Sequence, residues 1–135
     1  MTIKTINPEK LFKPEFYDQV SVATGTKLVF IAGQVAHDGQ GGLVAPGDLE
    51  QQVEQAFINV GHALEAAGAT FANVAKTTIY VTKWSIDQMP QFGAGFARAA
   101  QKLGITTKPP TSLIGVEVLF HPDVRVEMEV TAVLG

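Results

Sequence analysis

An α+β fold follows from the order in which two periodicities alternate along these 135 residues. Segments rich in β-branched residues at 18–23, 27–32, 74–82, 112–120 and 125–134 read as strands. Two others, from Leu49 and over 87–103, repeat apolar residues at i, i+3, i+4, i+7 and read as helices. The order is strand-strand, helix, strand, helix, strand-strand, with a short further strand at 3–6. In addition, "KLVFI" and "SLIGVEVLF" place apolar residues at successive positions, as strands covered on both faces do. Two helices cover one face only, so the second face implies self-association into a closed ring.

The first two long strands flank Thr24-Gly25-Thr26 and read as a hairpin. "HDGQGGLVAPGD" is dense in Gly and Pro and reads as an exposed loop. It ends at Asp48, an N-cap with Gln51 as capping-box partner. Leu49, Val53, Ala56, Phe57, Val60, Leu64 and Ala67 form the apolar stripe of the first helix, and Gly68 suits its left-handed end. "VAKTTIYVT" is the strand that follows. In the second helix Met89, Phe92, Phe96, Ala99, Ala100 and Leu103 share a face, Pro90 sits in the first turn, and Gly104 ends it. The last two strands read as a closing hairpin turned by Pro122 and Asp123, with Val126, Met128, Val130 and Ala132 alternating against Arg125, Glu127, Glu129 and Thr131.

Composition narrows the functional classes. The length suits one domain, residues 1–135, with neither repeat nor linker. Ten Lys and Arg against thirteen Asp and Glu leave no basic footprint for nucleic acid. The absence of cysteine excludes thiolate nucleophiles and disulfides. No apolar run has the length of a membrane span and the N-terminus lacks a signal-peptide core, so the expected location is cytoplasmic. His37, His62 and His121 show no metal-ligand spacing, and Ser112 has no histidine at fixed spacing that would make it a nucleophile. Neither metal nor cofactor is expected.

"AGQVAHDGQGGLVAPGDLEQQVEQAFINVGHALEAAGATFANVAKTTIYVTK", together with "PPTSLIGVEVLFHPDVRVEMEVTAV", resembles the YjgF/RidA family of reactive-intermediate deaminases over nearly the whole chain. The resemblance implies a chorismate mutase-like fold: a six-stranded mixed sheet with two helices on one face, in a homotrimer whose sheets face inward. It also implies three inter-subunit clefts that bind small metabolites. The family's activity, hydrolysis of enamines and imines to 2-keto acids and ammonia, needs a positioned water and a substrate clamp rather than a cofactor.

The resemblance also implies the site. Glu127 in "VEMEV" stands where the deaminases hold the catalytic water, and Tyr17 in "FYDQ" matches a substrate-binding tyrosine. Three cleft positions depart from the pattern. Thr111 replaces the carboxylate-binding arginine, Ala32 the serine before Gly-Gln, and Gly93 an asparagine on the second helix. A threonine hydroxyl is neutral and cannot present the bidentate fork that suits a carboxylate. Ordinary 2-iminobutanoate and 2-iminopropanoate deaminase activity is therefore expected to be weak or absent. Two readings stand: a cofactor-independent hydrolase acting on a C=N or enamine substrate without that carboxylate, and a non-catalytic module that binds a small apolar ligand. RNA cleavage, proposed for some relatives, is disfavoured by the acidic balance.

Overall fold

The computed structural model describes residues 2–135. Its elements are β1 (Thr2–Ile6), β2 (Val20–Thr24), β3 (Lys27–Gln34), α1 (Leu49–Ala66), β4 (Val74–Thr82), α2 (Met89–Leu103), β5 (Thr111–Val116) and β6 (Val126–Leu134), with single 3-10 turns before β4 and α2. The α+β order matches expectation. The six strands fall into two sheets, a β1-β2 pair and a four-stranded sheet in the order β3-β6-β4-β5.

Helix α1 starts where its capping chemistry requires. Asp48 Oδ1 accepts from the Gln51 backbone N–H at 2.9 Å, and Gln51 Nε2 reaches back to Asp48 Oδ2 at 3.2 Å. Gly68 and Gly104 follow the two helices at φ +76° and +66°, a region costly for any residue with a Cβ. The helices meet at Gly95, where a Cβ would overlap the Glu50 carbonyl and press on Val53. Beneath them the stripe Leu49, Val53, Phe57, Val60 and Leu64 packs on Ile79, Val81, Val126, Met128 and Val130 of the sheet. Burial of such side chains contributes roughly 1.5–3 kcal/mol each.

Both expected hairpins are absent. β2 pairs with β1, antiparallel from Thr2↔Thr24 to Ile6↔Val20, and not with β3. Three polar contacts account for this. Ser21 Oγ donates to the Ala75 carbonyl at 2.6 Å, Asp18 N–H to the Lys108 carbonyl at 3.0 Å, and Asn7 Nδ2 to Asp18 Oδ1 at 2.8 Å. They draw the chain across the β4 end of the fold before it turns at Gly25. At the other end, β5 lies parallel to β4 while β6 pairs antiparallel with β4 and β3, so residues 117–125 cross over instead of making a tight turn. β5 also stops at Val116, short of the expected Phe120.

Arg125, expected on the polar side of the last strand, is buried. Its Nη2 and Nε donate to the Thr82 carbonyl at 3.0 and 3.3 Å, and its Nη1 to the Gly47 carbonyl at 3.2 Å. Burial pulls its pKa down from the ordinary value. These carbonyls flank the loop before α1 and the turn after β4, which Arg125 ties together.

A charged seam joins the helices on the solvent side. Arg98 meets Glu50 Oε2 at 2.7 Å and Glu54 Oε1 at 2.9 Å, and Lys102 meets Glu54 Oε2 at 2.5 Å. Hydrogen bonding to Lys102, then to Arg98, holds the Glu54 carboxyl below its ordinary pKa. A depressed folded-state pKa stabilises the fold fully above the ordinary carboxylate range and loses that contribution as pH falls through the folded value. Thermal melts of wild type and Glu54→Gln should therefore differ at neutral pH, wild type being the more stable, and converge in acid as the folded-state carboxyl is protonated. A gap that persists unchanged in acid would show that the seam contributes through packing alone.

Among the described residues, no helix is long and apolar enough to cross a membrane. The outer face of the four-stranded sheet exposes large apolar side chains: Leu28 at 65%, Phe30 at 74% and Ile114 at 42%. Natural monomers seldom leave such a patch on a flat sheet.

Candidate functional site

Strand alternation sets which way each candidate residue points. β5 runs in register with β4 through Thr77↔Thr111, Thr78↔Ser112 and Tyr80↔Ile114. Thr111 and Leu113 therefore face the helices, whereas Ser112 and Ile114 face the other way. Thr111 sits at the first position of β5, and its Oγ1 donates to the Pro109 carbonyl at 2.9 Å. The Asp18 to Lys108 backbone bond fixes the segment before β2 against the same loop. It brings Tyr17 beside Thr111.

Both residues line a cavity of about 480 Å³ between the helix face of the sheet and α2. Its wall is largely apolar, includes Phe16, Phe57, Phe71, Phe92 and Phe96, and contains no charged side chain. Polarity comes from hydroxyls alone.

Glu127 lies on the opposite face of the sheet. Across β4 it is registered with Tyr80. On its other side β3 has an irregular stretch between Ile31 and Gln34, which contains Ala32 and Gly33. The Glu127 carboxylate lies against Gly33, and a Cβ there would overlap it, so a larger residue would make this flexible carboxylate swing out of its place. Ala32, next to it, is exposed. Hydrogen bonding to Glu129, then desolvation and the charges of Glu129 and Glu127, pushes the Tyr80 phenol above its ordinary pKa. Tyr80 thus stays protonated at neutral pH as a donor beside two carboxylates.

Farther along the same face Lys76 Nζ donates to Ser112 Oγ at 2.9 Å and to the Thr77 carbonyl at 3.4 Å. Desolvation lowers the lysine pKa. The histidines lie elsewhere: the His37 ring packs edge-on to Phe120 at 5.6 Å, and His121 Nδ1 accepts from the Asp123 N–H at 3.2 Å.

One chain therefore places Tyr17 and Thr111 on one rim, and Ala32 and Glu127 on the reverse of the sheet. Gly93, on α2, lines neither; a Cβ there would meet nothing within 4 Å. Sequence reasoning missed Gly33, Tyr80 and the Lys76–Ser112 pair. A glycine inside a strand pattern is itself a sign of close approach. Tyr80 could be found only once the β4–β6 register is known. What the reverse face can do is hold and polarise a water between a carboxylate and a phenol, and what the rim can do is take an uncharged apolar group.

The family model described as Endoribonuclease L-PSP matches residues 13–134. A RutC family protein of Synechocystis is 35% identical over 136 residues, covering 99% of this chain and 98% of that one. A 2-iminobutanoate/2-iminopropanoate deaminase of Mus musculus is 42% identical over 53 residues, 39% of each chain. Among solved structures, the Rid family protein YyfB from Yersinia pestis superposes with a TM-score of 0.87 at 31% identity, covering 99% of this chain and 100% of that one.

Proposed function

This chain belongs to the endoribonuclease L-PSP family, the YjgF/RidA group, and from that premise we propose that it hydrolyses an uncharged imine, enamine or related compound in a cleft between subunits of a homotrimer. The observation that carries this reading is the division of the site: Tyr17 and Thr111 on one rim, Glu127 on the other side of the sheet. A single chain cannot bring these groups to one substrate. A neighbouring copy, docked through the face that carries Leu28 and Phe30, supplies its Glu127 to the rim of the first and covers apolar surface at the same time.

The chemistry needs only these groups. Glu127 accepts a hydrogen bond from water and takes its proton as the water oxygen bonds to the imine carbon. The proton passes to nitrogen, giving a carbinolamine. Breaking the C–N bond with a further proton on nitrogen releases ammonia, and loss of the hydroxyl proton leaves a carbonyl product. Thr111 offers no cation for a carboxylate, which directs the site to substrates without one. The relatives named as 2-iminobutanoate/2-iminopropanoate deaminases support the reaction class, though over 39% of their length. RNA hydrolysis, which the family description names, is a poorer match for a chain of net charge −3.

Mixed oligomers test the division. Glu127→Gln and Tyr17→Ala chains should each release little ammonia alone and should recover activity when refolded together, because some clefts then hold both native residues. A silent mixture beside an active wild type would place the whole site in one subunit. A wild type that retains a small molecule in native mass spectrometry but releases no ammonia would favour the binding module.

A further inference from the structure

We propose that the chamber between the sheet and α2 is a binding site for an uncharged, flat, bicyclic aromatic molecule with one hydroxyl or carbonyl group, which hydrogen-bonds to Thr77. The chamber lies behind the Tyr17–Thr111 rim of the proposed cleft, and because one chain lines it, its binding is read by direct titration whether or not that cleft hydrolyses an imine.

Size comes first. The volume of about 480 Å³ is roughly three times that of an engineered cavity that takes up benzene, about 150 Å³. It lies within the range of ligand pockets, about 300–1,000 Å³. It opens to solvent at the Tyr17–Thr111 rim, as a ligand pocket does, and is far larger than an ordinary packing defect. A guest can therefore enter, and a fitting apolar guest gains contacts with its wall.

The wall sets the chemistry. Phe57 and Phe96 stand with ring centroids 5.0 Å apart, and Phe71 is 6.5 Å from Phe57, so a planar guest can meet several ring edges and faces. No lysine, arginine or carboxylate lines the chamber to compensate a charged guest. Of the threonine hydroxyls in the wall, Thr111 Oγ1 is committed to the Pro109 carbonyl and Thr107 Oγ1 to the Phe71 carbonyl. Thr77 differs. It is 94% buried, on the helix face of β4, and has no side-chain hydrogen bond among the described residues. Its hydroxyl is open to the chamber instead of sealed from it, and with no bond inside the chain it is free to pair with a guest.

Naphthalene, 2-naphthol and 2-naphthoate are the probes, titrated into the full chain and followed by calorimetry and by NMR shifts of the Phe rings. Naphthalene and 2-naphthol should bind at one per chain, 2-naphthol about three- to tenfold tighter, and 2-naphthoate at least tenfold weaker than 2-naphthol. Thr77→Val keeps the volume and should erase the 2-naphthol advantage while leaving naphthalene unchanged. Ile105→Trp, at a partly exposed lining position, should weaken both neutral probes and tests the site even if Thr77→Val fails to fold. The inference is overturned if neither neutral probe binds wild type, if 2-naphthoate binds as well as 2-naphthol, if Thr77→Val weakens naphthalene and 2-naphthol equally, or if Ile105→Trp changes nothing.

Discussion

Thr111→Arg is expected to raise the rate of ammonia release from 2-iminobutanoate by roughly thirty- to several thousandfold. The magnitude follows from the value of a desolvated, hydrogen-bonded charge pair, about 2–5 kcal/mol, at about 1.4 kcal/mol per tenfold. The position permits it. Thr111 is the first residue of β5, an edge strand of the four-stranded sheet, and its hydroxyl spends its proton on the Pro109 carbonyl. An arginine there starts beside the open rim next to Tyr17, and the uncharged chamber behind it offers no partner, so the guanidinium turns to the rim. The expected signature is a lower KM together with a higher kcat for the carboxylate substrate, measured by coupled ammonia release on imines generated in situ. An unchanged rate in a folded variant would mean that Thr111 does not face the reacting substrate.

The second large effect concerns Gln52, in the first turn of α1 and fully buried. Its Nε2 donates to the Asp123 carbonyl at 2.8 Å and to the Ala45 carbonyl at 3.0 Å, and its Oε1 accepts from the Arg125 N–H at 2.7 Å. One side chain therefore satisfies three backbone groups from two loops that no strand pairs. Gln52→Leu keeps the size but leaves the Arg125 N–H without a partner, at roughly 1–3 kcal/mol, and takes one of two donors from each carbonyl, since the Gly47 N–H still reaches the Asp123 carbonyl at 2.9 Å and the Asp48 N–H the Ala45 carbonyl at 3.0 Å. With the two lost carbonyl bonds at roughly 0.5–1.5 kcal/mol each, and relaxation reducing the sum, about 2–4 kcal/mol is expected. Against a total stability of about 5–15 kcal/mol this should lower Tm by about 6–16 °C. A fall of less than about 3 °C in a calorimetric melt would show that the loops do not rely on Gln52.

Local chemistry was legible in the sequence. Asp48 with Gln51, the stripe from Leu49 to Leu64, and the glycines at 68 and 104 all act within a few residues of themselves, and the helices start and stop accordingly. Strand partners were not legible in the same way. The turn at Gly25 suggested a local hairpin, but Ser21 and Asp18 bind the distant Ala75 and Lys108 carbonyls and commit β2 to β1. A small polar side chain does not announce which remote carbonyl it will meet. The parallel β4–β5 pairing was hidden for the same reason, since it depends on a crossover through α2.

The site shows the same division. Glu127, Tyr17 and Thr111 could be chosen one by one, yet only the register reveals that Glu127 stands on the reverse of the sheet from the other two. Gly33 was quoted as part of a motif, and its physical reason, room for the Glu127 carboxylate, required the β3–β6 pairing. Arg125 alternates as a surface residue should and is nevertheless buried, because three backbone donations to Thr82 and Gly47 replace water. The chamber arises where sheet, α2 and the segment before β2 meet, and no pattern within any one of them encodes it.

The account rests on Glu127 acting in a cleft that has no cation for a carboxylate. Its most direct test compares ammonia release by wild type from two imines of similar size generated in situ, 2-iminobutanoate and the uncharged imine of butanone, each also measured with Glu127→Gln. The expected result is faster enzyme-dependent hydrolysis of the uncharged imine, lost in Glu127→Gln. Faster hydrolysis of 2-iminobutanoate, or release that survives Glu127→Gln, would contradict it.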